Sequence, residues 1–230
     1  MDLRELNTLG GFFALRTGTE GTPPGTPLAR VYEGELTELT RRVDLVTERH
    51  NPSERRVAAS IAQLGIAARL WSIALGAAAL YRELPDLDPR ALWWTADRST
   101  PDDLVLTTVR SRPGTAANIR ETVQENHLRP LSAALRTDTR ISARLLWGNA
   151  GSALAAAVQQ IDGWAFDHDR PEVARRAEAL AAELFDHPDL RGTVEGPRRR
   201  RTSCCLYYRA PRGSLCGDCV FSGRPAPAAP

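Results

Sequence analysis

Lysine is absent from this chain of 230 residues, and all 30 of its basic side chains are arginine. No Schiff-base or acetylatable amine is therefore available, and every one of these cations keeps its charge at any physiological pH. Cysteine is absent from residues 1–203. Thiols therefore neither pack nor cross-link that stretch. A glycine-rich phosphate fingerprint is missing as well, which leaves no sign of a built-in nucleotide reductant. Internal repeats and coiled-coil heptads are missing too. The start, Met-Asp-Leu-Arg-Glu-Leu, lacks a basic stretch followed by an apolar run. No secretory signal is expected, so the predicted location is cytoplasmic, where thiols stay reduced.

The remaining composition is that of an ordinary globular chain, 42% hydrophobic and 25% charged, able to bury a core without disulfides. Its net charge of +2 is unevenly spread. Residues 191–230 carry eight arginines against Glu195 and Asp218, a formal +6, which leaves −4 for residues 1–190. The end of the chain is the basic pole of a mildly acidic body.

Hydrophobic periodicity predicts mostly helices. A short helix is expected within 2–15, then a Gly/Thr/Pro-rich surface loop over 18–27. Leu36, Leu39, Val43 and Val46 give an amphipathic helix over 35–50. Asn51-Pro52-Ser53-Glu54 reads as the start of the next helix. That helix, 57–81, is the most apolar stretch. Arg69 in its middle would cost at least about 2.5 kcal/mol at a bilayer centre, so no membrane span is expected. Segments 91–96 and 104–109 predict a β-hairpin with a longer loop. Helices are then expected over 115–128, continuing past a kink at Pro130 to 136, over 139–161 and over 171–185. The predicted fold class is α+β, predominantly helical, with a small antiparallel hairpin or sheet. Three regions are expected: a body over 1–196, a cysteine segment over 197–221 and a disordered Pro/Ala tail over 222–230.

All four cysteines fall in the short segment: Cys204-Cys205, ten residues, then Cys216-Gly217-Asp218-Cys219. Cys-x2-Cys on a turn sets two sulfurs on one side of the backbone, where they can share a metal, and Gly217 is expected to take the strained dihedrals of that turn. The adjacent pair would point to opposite sides of a regular strand, so joint ligation needs a local distortion. Zinc sites usually use two spaced pairs. Four thiolates, two per iron, suit a [2Fe–2S] cluster, with Cys204 and Cys205 on one iron and Cys216 and Cys219 on the other. A structural four-cysteine zinc module and an iron–sulfur carrier or redox sensor remain the alternatives.

The motif Cys-Cys-x10-Cys-x2-Cys, in the context Arg-Arg-Thr-Ser-Cys-Cys-Leu-Tyr-Tyr-Arg and Leu-Cys-Gly-Asp-Cys, resembles the FhuF family of ferric-siderophore reductases. Arg56-Val57, Ala68-Arg69-Leu70-Trp71-Ser72 and Leu146-Trp147-Gly148-Asn149 are similar to recurring stretches of the same family. The resemblance implies that Cys204, Cys205, Cys216 and Cys219 ligate a [2Fe–2S] cluster and that the chain reduces imported Fe(III)–siderophore complexes. It points to no catalytic residue distinct from the cluster. Without a nucleotide fingerprint, electrons are expected from a separate ferredoxin- or flavodoxin-like protein.

Candidates for the substrate or partner surface are Arg69, Trp71, Trp147, Asn149 and the run Arg198, Arg199, Arg200 and Arg201. Each has a plainer reading. A buried arginine more often makes a structural ion pair, and Trp147 and Asn149 suit a core tryptophan and a buried amide. Four arginines without interleaved aromatics are weak evidence for nucleic acid, which is not expected as a partner.

Overall fold

The computed structural model describes residues 1, 3–18, 21–197 and 199–225 and shows a predominantly helical α+β protein. The helices are α1 (Leu3–Thr8), α2 (Leu28–Tyr32), α3 (Thr37–His50), α4 (Arg55–Tyr81), α5 (Ala116–Ile119), α6 (Arg129–Asp138), α7 (Ala143–Asp167) and α8 (Pro171–Phe185). The short strands are β1 (Arg16–Thr17), β2 (Thr26–Pro27), β3 (Glu83–Pro85), β4 (Leu92–Trp94), β5 (Leu104–Leu106), β6 (Ser111–Pro113), β7 (Val194–Glu195) and β8 (Arg200–Arg201).

Helix α4 is the axis of the fold. It is long and apolar enough to cross a membrane, but 20 of its 27 residues are buried, and α3, α7 and α8 pack around it. Its alanines permit close approach, while Leu70, Ile73 and Leu75, all fully buried, each contribute about 1.5–3 kcal/mol. Arg69, only 1% exposed, survives here because Asp103 lies 2.9 Å away and the Gly11, Phe12 and Pro101 carbonyls accept its other N–H groups.

The start of α4 is built differently from the sequence signal. Asn51 is in the left-handed region, φ 43°, and closes α3 with its N–H on the Thr47 carbonyl. Asn tolerates that conformation, so it serves the end of one helix instead of capping the next. Glu54 is the residue ahead of α4, and its side chain makes no capping bond.

The predicted hairpin is β4–β5, with Trp93 opposite Val105. Trp94 faces the core and Trp93 is half-buried, as alternation requires. The sheet has two further strands from the N-terminal loop: β1 pairs parallel to β5, and β2 antiparallel to β4. Two residues each, these strands carry no periodicity to read. Beyond α5, which Thr115 caps by accepting the Asn118 N–H, residues Arg120–Leu128 wind as a π-helix before α6. Pro130, in the first turn of α6, has no N–H to donate back to this segment, so the regular α register does not run through. Helix α7 starts at Ala143, because Thr139 closes α6 with its hydroxyl on the Leu135 carbonyl.

After α8 the antiparallel pair β7–β8 returns the chain along α7. Two glycines make that approach possible. A Cβ on Gly151 would lie 2.0 Å from the Thr193 hydroxyl oxygen, and one on Gly148 would lie 1.9 Å from that of Ser203.

Candidate metal centre

The chain leaving β8 brings the four cysteines together. Cys205 and Cys219 are buried, Cys204 and Cys216 are half-buried, and all four are free thiols. Cys205 Sγ and Cys216 Sγ are 3.8 Å apart, so the sulfurs meet across the two sequence pairs. Cys204 interacts with Cys205 and Cys219 with Cys216, which completes one continuous group of four sulfurs.

The distortion demanded by adjacent cysteines sits at Leu206. Its φ of 67° is left-handed, a conformation costing a non-glycine residue about 1–2 kcal/mol. That turn aims the Leu206 N–H at Cys204 Sγ, 3.2 Å away, and the Tyr207 N–H at Cys205. At the second pair, the Phe221 N–H lies 3.4 Å from Cys219 Sγ. Three of the four sulfurs thus accept a backbone N–H from two residues further on, the kind of contact that stabilises thiolates and bound clusters. Gly217 is not among the positive-φ residues, so the strain expected there is found at Leu206 instead. The Cys216–Cys219 turn closes with an ordinary Cys219 N–H to Cys216 carbonyl bond of 3.1 Å.

Electrostatics separate the four thiols. A hydrogen bond from Cys205, the Leu206 N–H and the Arg201 charge lower Cys204 to about 7 against the cost of burial. The same bond pushes Cys205 up. Cys216 is pushed up strongly by its bond to Cys205, by burial and by the negative charges around it, and burial pushes up Cys219. Four thiols this close cannot all ionise on their own account; cations among them would allow it. Two donors beside them, Arg201 Nη1 and Ser203 Oγ, are buried without a partner. An all-sulfur donor set ringed by N–H groups fits a soft metal or an iron–sulfur cluster.

The segment is tied to the body by polar side chains from the two longest helices. Ser60, on α4, donates to the Cys205 carbonyl at 2.7 Å. Asn149, on α7, donates to Ser60 Oγ at 3.0 Å and to the Ser60 carbonyl at 3.1 Å, and its Oδ1 accepts from Arg201 Nη2. Ser152, one turn on, donates to Asp218, between the last two cysteines. Arg200 holds the Cys219 carbonyl at 2.8 and 3.1 Å. Tyr208 packs edge-on against Phe221, and Arg209 pairs with Glu54 at 2.5 Å.

The surface candidates separate accordingly. Asn149 is fully buried beneath the thiol segment and forms part of its mounting. Trp147 is half-buried, with Arg129 5.8 Å above its ring. Arg69 and Trp71 are sealed in the core, so neither forms a surface. Of the arginine run, Arg198 lies outside the described residues. Arg199 pairs with Glu178, Arg200 is exposed, and Arg201 is 2% exposed. Ser60, Ser152 and Asp218 were missed as site residues. Ser60 and Ser152 carry the one available signal, a hydroxyl within a highly apolar helix.

A helical body carrying an all-thiol centre defines a protein built to hold a soft metal or an iron–sulfur cluster. The sequence profile of the family described as ferric iron reductase FhuF-like transporter matches residues 77–203, and that of the FhuF 2Fe-2S C-terminal domain matches residues 201–221. The chain belongs to the FhuF family, its cofactor is a [2Fe–2S] cluster, and its role is of the iron–sulfur ferric-reductase kind. No curated protein matches it.

Proposed function

We propose that this protein holds its [2Fe–2S] cluster through Cys204, Cys205, Cys216 and Cys219 and reduces Fe(III)–siderophore complexes in the cytoplasm. The observation that carries the reading is the convergence of all the chain's thiols into one N–H-lined group, mounted on α4 and α7. When bound, a [2Fe–2S] cluster supplies electrons one at a time, which matches the Fe(III)/Fe(II) couple. Hydroxamate and catecholate oxygens are hard donors that hold Fe(III) tightly and Fe(II) weakly, so a single electron loosens the complex.

The residues around the thiols supply the rest. The exposed Arg200, Arg212 and Arg224 give this end a positive field, suited to an anionic ferric complex or an acidic donor protein. The Tyr208–Phe221 pair and Leu206, which packs on the core, add apolar contacts beside the cysteine pairs. Cys204 and Cys216, half-exposed, mark the side open to electron exchange. A ferredoxin- or flavodoxin-like protein is the proposed donor, since the chain carries no nucleotide fingerprint.

The test is Fe(II) release, trapped by a ferrous chelator, from hydroxamate and catecholate ferric siderophores in the presence of a reduced ferredoxin. Release that depends on both the donor and the loaded protein is expected. Absence of release from every complex, with the protein visibly reduced and reoxidised, would leave an electron carrier or sensor and overturn the reductase reading. Oxidation of NADPH by the protein alone would remove the need for a separate donor.

A further inference from the structure

Among the described residues two guanidinium groups are buried, and they are compensated in opposite ways. Arg69, 1% exposed, faces the Asp103 carboxylate at 2.9 Å. Arg201, 2% exposed, faces no carboxylate among the described residues. Its Nε donates to the Ser203 carbonyl at 2.7 Å, its Nη2 donates to Asn149 Oδ1, and its Nη1 has no partner. The nearest acid in the segment, Asp218, receives the Ser152 hydroxyl on its carboxylate and the Arg201 backbone N–H on its carbonyl. A buried charge with only neutral partners is costly unless a counter-charge arrives from elsewhere. The four thiols supply the position for one. Two Fe(III), two sulfides and four thiolates form a dianion, which one-electron reduction turns into a trianion.

We propose that Arg201 is the fixed counter-charge of the centre and raises its midpoint potential, with Asn149 and Ser60 as the positioning residues that hold it in place. The proposal rests on the four-thiolate reading above. A positive charge stabilises the trianion more than the dianion, so it favours the reduced form. Because Arg201 is buried, its effect is weakly screened by salt, unlike that of the exposed Arg200. The mount is rigid. Arg201 Nη2 meets Asn149, Asn149 meets Ser60, and Ser60 holds the Cys205 carbonyl, so the guanidinium and a ligand-bearing backbone share one hydrogen-bonded chain. The planar fork explains arginine here, since an ammonium could not reach the Ser203 carbonyl and Asn149 with the same fixed geometry.

The experiment is a potentiometric titration of the intact protein, with iron and sulfide content and the visible spectrum measured alongside. Arg201→Gln should disfavour the reduced form at least about tenfold, about 59 mV for one electron. Asn149→Asp sets a carboxylate against Arg201 and cancels its charge in place, so it should move the potential the same way. Arg201→Lys keeps the charge but not the fork, so its shift should be smaller than that of Arg201→Gln, and the Arg201→Gln shift should persist at high salt. If Arg201→Gln keeps its iron and its spectrum with an unchanged potential, the counter-charge role is wrong. Loss of the centre from both Arg201→Gln and Asn149→Asp, with helical circular dichroism retained, would assign Arg201 to assembly and equally overturn it. A wild-type protein without iron and sulfide would instead sink the four-thiolate reading, and the proposal with it.

Discussion

Gly148 and Ser203 touch so closely that a Cβ on residue 148 would lie 1.9 Å from the Ser203 hydroxyl oxygen and 3.2 Å from its Cβ. Helix α7 thus offers bare backbone at the point where the thiol segment crosses it, one residue before Cys204. The contact sets how deeply the segment sits on the body. Gly148→Ala should cost about 1–3 kcal/mol as an overpacking change and loosen Cys204. Lower iron occupancy and a lower Tm are expected. Ser203→Gly in the same chain should restore much of both, and a double-mutant cycle showing no coupling would refute this account of the docking.

Single-ligand changes separate the segment from the core. Cys204→Ser, Cys205→Ser, Cys216→Ser and Cys219→Ser should each weaken or abolish the visible absorption and the iron content. Helical circular dichroism should stay near the wild-type value, because the core is built from α3, α4, α7 and α8. A Cys204→Ser protein with a normal cluster would show that the adjacent pair does not ligate jointly.

Arg69 is predicted to act on stability alone. Removing it strands Asp103, 6% exposed, and frees the carbonyls of Gly11, Phe12 and Pro101. Arg69→Met should destabilise by about 3–5 kcal/mol in urea unfolding, while Arg69→Met with Asp103→Leu should recover a large part. The visible spectrum per mole of folded protein should not change. A change in the spectrum of the folded Arg69→Met protein would reconnect this residue to the centre.

Much of this architecture is legible without coordinates, and the reasons differ by element. Helices α3 and α8 announce themselves by apolar stripes that run for three or more turns, and α4 and α7 by long, almost wholly apolar stretches. The thiol group is legible because four cysteines in sixteen residues admit few other uses. The two-residue strands β1 and β2 have no period to detect, and only pairing with β5 and β4 defines them. Asn51 reads as a helix start because asparagine often caps helix N-termini, but the same residue type also closes helices, and its left-handed φ places it at the end of α3. The distinction among the arginines was out of reach. Arg200 and Arg201 are neighbours of identical chemistry, and the antiparallel β7–β8 pair turns one outward and the other under the segment.

His127 gives a pH-dependent prediction far from the thiols. The imidazole is fully buried on the π-helical segment, with Nε2 2.6 Å from the Leu87 carbonyl and Nδ1 2.9 Å from the Tyr32 hydroxyl. The carbonyl can only accept, so Nε2 carries the proton and Nδ1 accepts from Tyr32. Burial lowers its pKa from 6.5 to about 4, against smaller opposing effects of the Leu87 carbonyl and the Asp88 charge. A depressed folded value means that protons bind the unfolded chain first. This contribution is therefore complete above about pH 6.5 and is lost as pH falls toward about 4, reaching about 3 kcal/mol. Between pH 7 and pH 5 the wild type should lose about 2 kcal/mol through this group. His127→Gln can still donate to Leu87 but cannot ionise, so its urea-unfolding free energy should fall less over the same interval by about that amount. Equal pH slopes for the two proteins would mean that His127 does not titrate on unfolding in this range.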